Sequence, residues 1–229
     1  MKPIQMACAV LWFMCAAMLA PVAWAAPDKT VEELMSHDGL QKVKIKDLDL
    51  AYVRPGASLA GYKRVMLDPV QVSFSKSWDP KKTGSSFKLS AEERENIRTG
   101  VAKIVQEEFT KTLSAKDGYP IVTESGPDVL RVKTDVINLY VNAPDTQSAG
   151  RTRTYTASAG EMTLVAEYYD SESGQVLARV VDRREGRAAG GQMSWSNSVM
   201  NQAEAETIAS TWARILRKSL DKANGIGKK

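Results

Sequence analysis

Hydrophobic positions along this chain follow three rhythms, and each predicts a different element. From about Ile4 to Leu19 the residues are almost unbroken apolar, with Lys2 in front and Pro21 behind. Two later stretches place an apolar residue every three or four positions, the spacing of one helix face. The first opens at Ser90, with Glu93 completing a capping box. It continues through Ile97, Val101, Ile104, Val105, Phe109 and Leu113, and Gly118 stops it. The second runs roughly from Gln202 to Lys222 on the stripe Ile208, Trp212, Ile215, Leu216 and Leu220, and Asn224-Gly225 ends it. A shorter helix around Val31–Met35 is expected from the pair Thr30 and Glu33, with Gly39 as its stop.

Between these stretches the apolar positions alternate, as half-buried strands require. Arg64–Phe74 carries Val65, Leu67, Val70, Val72 and Phe74, with Pro69 interrupting it, so it reads as an edge strand or a bulged one. Tyr119–Val122 is a short strand. In Val129–Val141, Leu130, Val132, Thr134 and Val136 form one set; Val129, Ile137 and Leu139 form the other, after a slip. Glu161–Tyr169 and Gln175–Val181 flank the turn signal Asp170-Ser171-Glu172-Ser173-Gly174, a hairpin. The order of strand, helix, several strands and helix predicts an α+β fold. Its sheet is mainly antiparallel or mixed, of about five strands, with both long helices packed on one face.

The leading apolar run changes the picture of where the protein works. It is too short to span a bilayer, and Ala23-Trp24-Ala25 follows it at once with the small-x-small pattern of a signal-peptidase site. Residues 1–25 are therefore expected to be a cleaved signal peptide, 26–60 a lead-in with looser alternation, and 61–229 a single α+β domain. Both cysteines, Cys8 and Cys15, fall inside the leader, and neither is preceded by the Leu and small residues of an acylation site. The expected mature protein is periplasmic, free of thiols and lipid, and without a transmembrane segment; peripheral contact with the outer membrane stays open. Charge adds little: 31 Lys and Arg, one of them Lys2, face 27 Asp and Glu. That balance does not suggest a nucleic-acid partner.

Candidate chemistry is sparse. Ser73-Phe74-Ser75-Lys76 and Lys82-Thr83-Gly84 match two signatures of serine penicillin-binding enzymes. That serine needs its lysine one helical turn away, whereas here the pair sits at a strand end, where such spacing points to opposite faces. His37 is the single histidine and lies in the lead-in, so neither a catalytic triad nor a histidine metal cluster is expected. The strand carboxylates Asp68, Asp135, Glu161 and Glu167 read as solvent-face residues. No catalytic residue, metal ligand or cofactor is assigned.

The predicted hairpin makes a geometric point. Its second strand ends where its first begins, and the strand 129–141 ends there too if it pairs antiparallel with 161–169. Loops 142–160 and 183–200 would then meet at one end of the sheet. They carry Arg151, Arg153, Arg183, Arg184 and Arg187, with Tyr155 and Trp195, against Asp145 and Glu185, with Asp182 just before the second. Arginines with aromatics suit an anionic or glycan partner, or a protein surface, and long loops in compact domains are often functional. The same residues, locally paired and solvated, would be structural only.

Several segments resemble a bacterial envelope family. They are Tyr52-Val53-Arg54-Pro55-Gly56, Gly61-Tyr62-Lys63-Arg64-Val65-Met66-Leu67-Asp68-Pro69, Asp117-Gly118-Tyr119-Pro120, Gly126-Pro127-Asp128-Val129 and Val181-Asp182-Arg183-Arg184-Glu185-Gly186. Together they are similar to the family catalogued as domain of unknown function 3313, over about residues 50 to 220. The resemblance implies a Gram-negative envelope protein, often a lipoprotein, with no established activity or catalytic residues. The expectation is a non-enzymatic binding or scaffold protein that meets an envelope protein or an anionic envelope component through the two loops. A cell-wall or lipid hydrolase, and a carrier with a small-ligand pocket between helices and sheet, are the alternatives.

Overall fold

The computed structural model describes residues 37–79, 90–141, 155–156, 160–186, 194–195 and 198–226. The expected helix around Val31–Met35, the leader and Lys82-Thr83-Gly84 lie outside these residues.

Nine strands and two long helices are present among them. Seven strands, rather than about five, form one mixed sheet: β1 (Gln41–Val43), β2 (Leu50–Val53), β3 (Arg64–Leu67), β4 (Gln71–Phe74), β5 (Val129–Val141), β7 (Gly160–Asp170) and β8 (Val176–Gly186). Their order is β1-β2-β8-β7-β5-β3, with β4 also beside β5. The remaining two, β6 (Tyr155–Thr156) and β9 (Ser194–Trp195), pair with each other. The helices are α1 (Ala91–Ser114) and α2 (Ser198–Ala223).

The extra strands have local causes. Pro69 has no N–H to place in a ladder, and the expected strand 64–74 divides there into β3 and β4, both parallel to β5. The lead-in supplies β1 and β2, with β2 antiparallel to β8. Tyr119–Val122 is reduced to one parallel bridge, Ile121 with Val65, beyond β3.

Both helices pack on one face of the sheet. Ser90 starts α1 as expected: its hydroxyl accepts from the Glu93 N–H, and Glu93 in turn accepts from the Ser90 N–H at 2.7 Å. Val105, Phe109 and Leu113 of α1 and Ile208, Trp212, Leu216 and Leu220 of α2 are buried against Leu130, Val132 and Val136 of β5 and Met162, Leu164 and Ala166 of β7. Each buried Val, Leu, Ile, Phe or Met side chain among them contributes about 1.5–3 kcal/mol by leaving water. Arg217 of α2 donates to the carbonyls of Leu113 (3.1 Å) and Ala115 (3.0 Å), which closes the C-terminus of α1. Gly118 lies so close to the Leu113 carbonyl and the Arg217 guanidinium that a Cβ there would collide with both.

The other face of the sheet holds ion pairs and a small apolar cluster. Leu40 and Tyr52 are buried with Leu50, Val176 and Val181 packed against them. Beside them Arg179 donates to Glu167 (2.6 Å) and Asp38 (2.7 Å), and Tyr169 donates to Glu167 at 2.6 Å.

Candidate functional site

One end of the sheet brings together strand ends, the roots of two long segments and the starts of both helices. β5 ends there, β7 starts there and β8 ends there, so the segments 142–159 and 187–197 both spring from it. The ladder between β6 and β9 sets Tyr155 opposite Trp195. The N-terminal halves of α1 and α2 cover the helix side of the same end.

Local backbone chemistry shapes this end. Asn138 adopts a left-handed conformation (φ 54°), and the β5–β7 register shifts between Ile137 and Tyr140. Asn tolerates this region better than most residues because its short side chain can bond locally. The bulge is the slip in the alternation of 129–141. Before it Leu130, Val132, Thr134 and Val136 face the helices; after it the odd-numbered Leu139 takes the inward place. Opposite Val141 sits Gly160, where a Cβ would strike the Tyr140 carbonyl. Gly186 similarly abuts the Glu204 carboxylate.

The result is a cavity of about 320 Å³ between helices and sheet. Its described walls include Ile97, Val101 and Ile104 of α1, Leu139 of β5, Met162 of β7 and Ile208 of α2. Polar groups, among them Asn96, Glu161, Gln202 and Glu204, also border it. Packed interiors leave few voids larger than a water molecule, whereas small-molecule pockets begin at about 300 Å³.

Of the seven residues expected at this end, Arg183 and Arg184 have described side chains, and both are engaged within the fold. Arg183 is 63% exposed and pairs with Glu161 across the hairpin, while its N–H donates to Asp49 at 2.8 Å. Arg184 is 28% exposed; its Nε donates to Asp182 at 2.6 Å and its Nη2 to the Asp47 carbonyl at 2.9 Å. Asp182, 4% exposed, also accepts from the Trp212 indole at 2.7 Å and the Asp49 N–H at 3.2 Å. That cluster ties β8 to α2 and to the 47–49 segment. Tyr155 and Trp195 are placed by backbone, and Arg151, Arg153 and Arg187 lie outside the described residues.

The four strand carboxylates each meet a cation. Asp68 accepts from Arg131 at 2.8 Å, Glu161 pairs with Arg183, Glu167 with Arg179, and Asp135 lies 3.6 Å from Lys133. Burial pushes the Glu167 carboxyl up, but hydrogen bonds from Tyr169 and Arg179 outweigh it and hold the group below its ordinary range. Ser73 lies within β4, and the Ser75 hydroxyl bonds Ser77 at 2.9 Å. The His37 side chain is 63% exposed, beside Asp38 at 2.8 Å.

Sequence reasoning offered a pocket between helices and sheet only as an alternative, and assigned none of its walls, such as Ile97, Met162 and Glu204. One signal was present: the slip between Val136 and Leu139 marks the bulge beside it.

The family model described as protein of unknown function (DUF3313) matches residues 31–216. No curated protein matches the chain. Among solved structures, the chain is similar to the PelC dodecamer of Paraburkholderia phytofirmans, at 11% identity and a TM-score of 0.36, over 78% of this chain and 98% of that one. It is also similar to a Helicobacter pylori protein provisionally described as a neuraminyllactose-binding hemagglutinin homolog (11% identity, TM-score 0.35, 79% and 94% covered). A Caulobacter crescentus protein provisionally described as a lipoprotein is a third (11%, 0.33, 71% and 90%). At this depth of likeness, neither the assembly nor the ligand named for a neighbour transfers to this chain. No described helix is long and apolar enough to cross a membrane.

Proposed function

The chain belongs to the DUF3313 family of proteins of unknown function, and from that premise we propose that it is a non-enzymatic binding protein of the bacterial envelope. It acts at the end of its sheet where the segments 142–160 and 183–200 meet. The observation that carries this reading is the ladder that pairs Tyr155 of one segment with Trp195 of the other. Arg151, Arg153 and Arg187 are the arginines of these segments offered to a partner, since Arg183 and Arg184 already bond Glu161, Asp182 and the Asp47 carbonyl. The partner is an envelope protein or an anionic envelope component, because arginine forks and aromatic rings suit carboxylates, phosphates and protein surfaces alike. The pairing of all four strand carboxylates with cations supports binding over hydrolysis.

A photo-crosslinking amino acid placed at Thr156, in cells producing the exported protein, tests the reading. Adducts that form on the unaltered chain and disappear when Arg151, Arg153 and Arg187 are all replaced by alanine support it. Identical adducts in the folded triple variant would refute it.

A further inference from the structure

We propose that a second cavity, between the C-terminal half of α2, the 45–59 segment and the strands β7 and β8, binds a small neutral molecule with one hydrogen-bonding oxygen on an apolar body, held by the Tyr168 hydroxyl. The cavity measures about 90 Å³, with Ile45, Leu48, Leu59, Leu177 and Leu216 among its walls. Tyr168 also lines it and is 8% exposed. Its side chain stands on the inner face of the sheet, where Val132 and Ala178 flank it on the neighbouring strands. The hydroxyl is the atom of a tyrosine farthest from its strand, so it meets the cavity on the side of α2. Tyr62 and Tyr169 donate to carboxylates, Asp170 at 2.9 Å and Glu167 at 2.6 Å. The Tyr168 hydroxyl meets no such group among the described residues, and burial alone pushes its phenol up. A buried hydroxyl left unbonded lowers stability, and a ligand oxygen would relieve that cost.

The lining chooses the ligand. No charged side chain borders this cavity among the described residues, which disfavours a carboxylate, phosphate or ammonium group. Two further hydroxyls line it, but Ser219 donates to the Ile215 carbonyl at 2.9 Å and Ser58 accepts from the Ala60 N–H at 3.0 Å. Waters filling the space would each need about two to four polar partners, and apolar walls with one open hydroxyl do not supply them. The volume takes about three groups the size of a water in the liquid, or about four at the density of a protein interior. Propan-1-ol has that size. The site lies toward the turn of the β7–β8 hairpin, away from the segments 142–160 and 183–200. It does not rest on the loop arginines, and the two readings fail separately.

Titration of the purified protein with ethanol, propan-1-ol, butan-1-ol and hexan-1-ol, followed through the methyl signals of Ile and Leu in carbon–proton NMR spectra, provides the test. Saturable shifts are expected at Ile45, Leu48, Leu59 and Leu216, with affinity greatest at propan-1-ol or butan-1-ol. Propionate should bind more weakly than propan-1-ol. Tyr168→Phe gives up no hydrogen bond within the fold, so its urea midpoint should not fall, whereas its propan-1-ol affinity should drop about threefold to tenfold. The chain-length series on the unaltered protein stands even if that variant does not fold. Shifts that never saturate, affinity still rising at hexan-1-ol, propionate binding as tightly as propan-1-ol, or full affinity in folded Tyr168→Phe would each overturn the proposal. So would a lower urea midpoint in Tyr168→Phe, or a crystal soaked in propan-1-ol that holds only waters against the Tyr168 hydroxyl.

Discussion

Asp182→Ala is the substitution in which the structure makes its sharpest energetic claim. The carboxylate is almost wholly buried and takes three donors: the Trp212 indole at 2.7 Å, the Arg184 guanidinium at 2.6 Å and the Asp49 N–H at 3.2 Å. Truncation strands the indole N–H in the core, a cost of about 1–3 kcal/mol. Arg184 is 28% exposed and can recover part of its hydration, so its loss is discounted to about 1 kcal/mol. The Asp49 bond is long and contributes little. The expected total is about 3 kcal/mol. Asp182→Asn keeps the shape and one acceptor oxygen but sets an amide donor against a donor, and should cost about 2 kcal/mol. Trp212→Phe keeps most of the ring packing and should cost less than Asp182→Ala. Urea unfolding followed by far-ultraviolet circular dichroism measures all three, with unchanged slopes showing that the same surface is exposed. A loss below about 1 kcal/mol for Asp182→Ala, or Asp182→Asn costing more than Asp182→Ala, would refute the reasoning.

Further predictions concern the bulge, the helix junction and acid stability. Asn138→Val forces a β-branched residue to a positive φ and should cost about 1–2 kcal/mol, while Asn138→Gly stays close to the unaltered protein in urea midpoint. Gly118→Ala pushes a methyl into the Leu113 carbonyl and should cost about 1–3 kcal/mol by overpacking, visible as a lower thermal midpoint. Glu167 is held below its ordinary range, first against burial, by Tyr169 and Arg179, and Asp170 is lowered by Ser173. The unfolded chain therefore takes up protons at about pH 4 before the folded one does. Stability is expected to be level above that value and to fall as pH drops through it; Glu167→Gln should flatten the fall in acid titrations of the urea midpoint.

Much of the fold can be read along the chain, where periodicity and local chemistry act together. Ser90 and Glu93 close a capping box because both halves lie within one turn, and the stripe from Ile97 to Leu113 buries the face that its spacing predicts. The hairpin around residues 171–175 follows from its turn residues for the same reason. What distant segments decide is not legible. Pro69 announces a break, but that both β3 and β4 then lie parallel to β5 depends on the crossover through α1. Leu50 and Tyr52 alternate plainly, yet their place beside β8 rests on partners some 130 residues away, such as Arg179 for Tyr52. Asp182 and Trp212 could be read only as a strand acid and a core aromatic, because their bond appears when β8 and α2 pack.

The arginine-rich end shows how far such reading reaches into a site. Strand order alone brings the 142–160 and 183–200 segments to one edge, since β5, β7 and β8 run alternately up and down. Composition cannot say which arginines a fold consumes. Arg184 looks like Arg187 on the page, but a buried acid two residues before it and a carbonyl at Asp47 draw its guanidinium inward. The cavity is further removed still, because a void is a property of what neighbouring side chains leave unfilled. Its one trace is the phase slip after Val136, where the alternation exchanges even for odd positions. A strand buried on one face permits such an exchange only through an extra residue. A slip of that kind beside a long loop therefore marks where inward-facing side chains change partners, and in this chain it marks one wall of the apolar space beneath the helices.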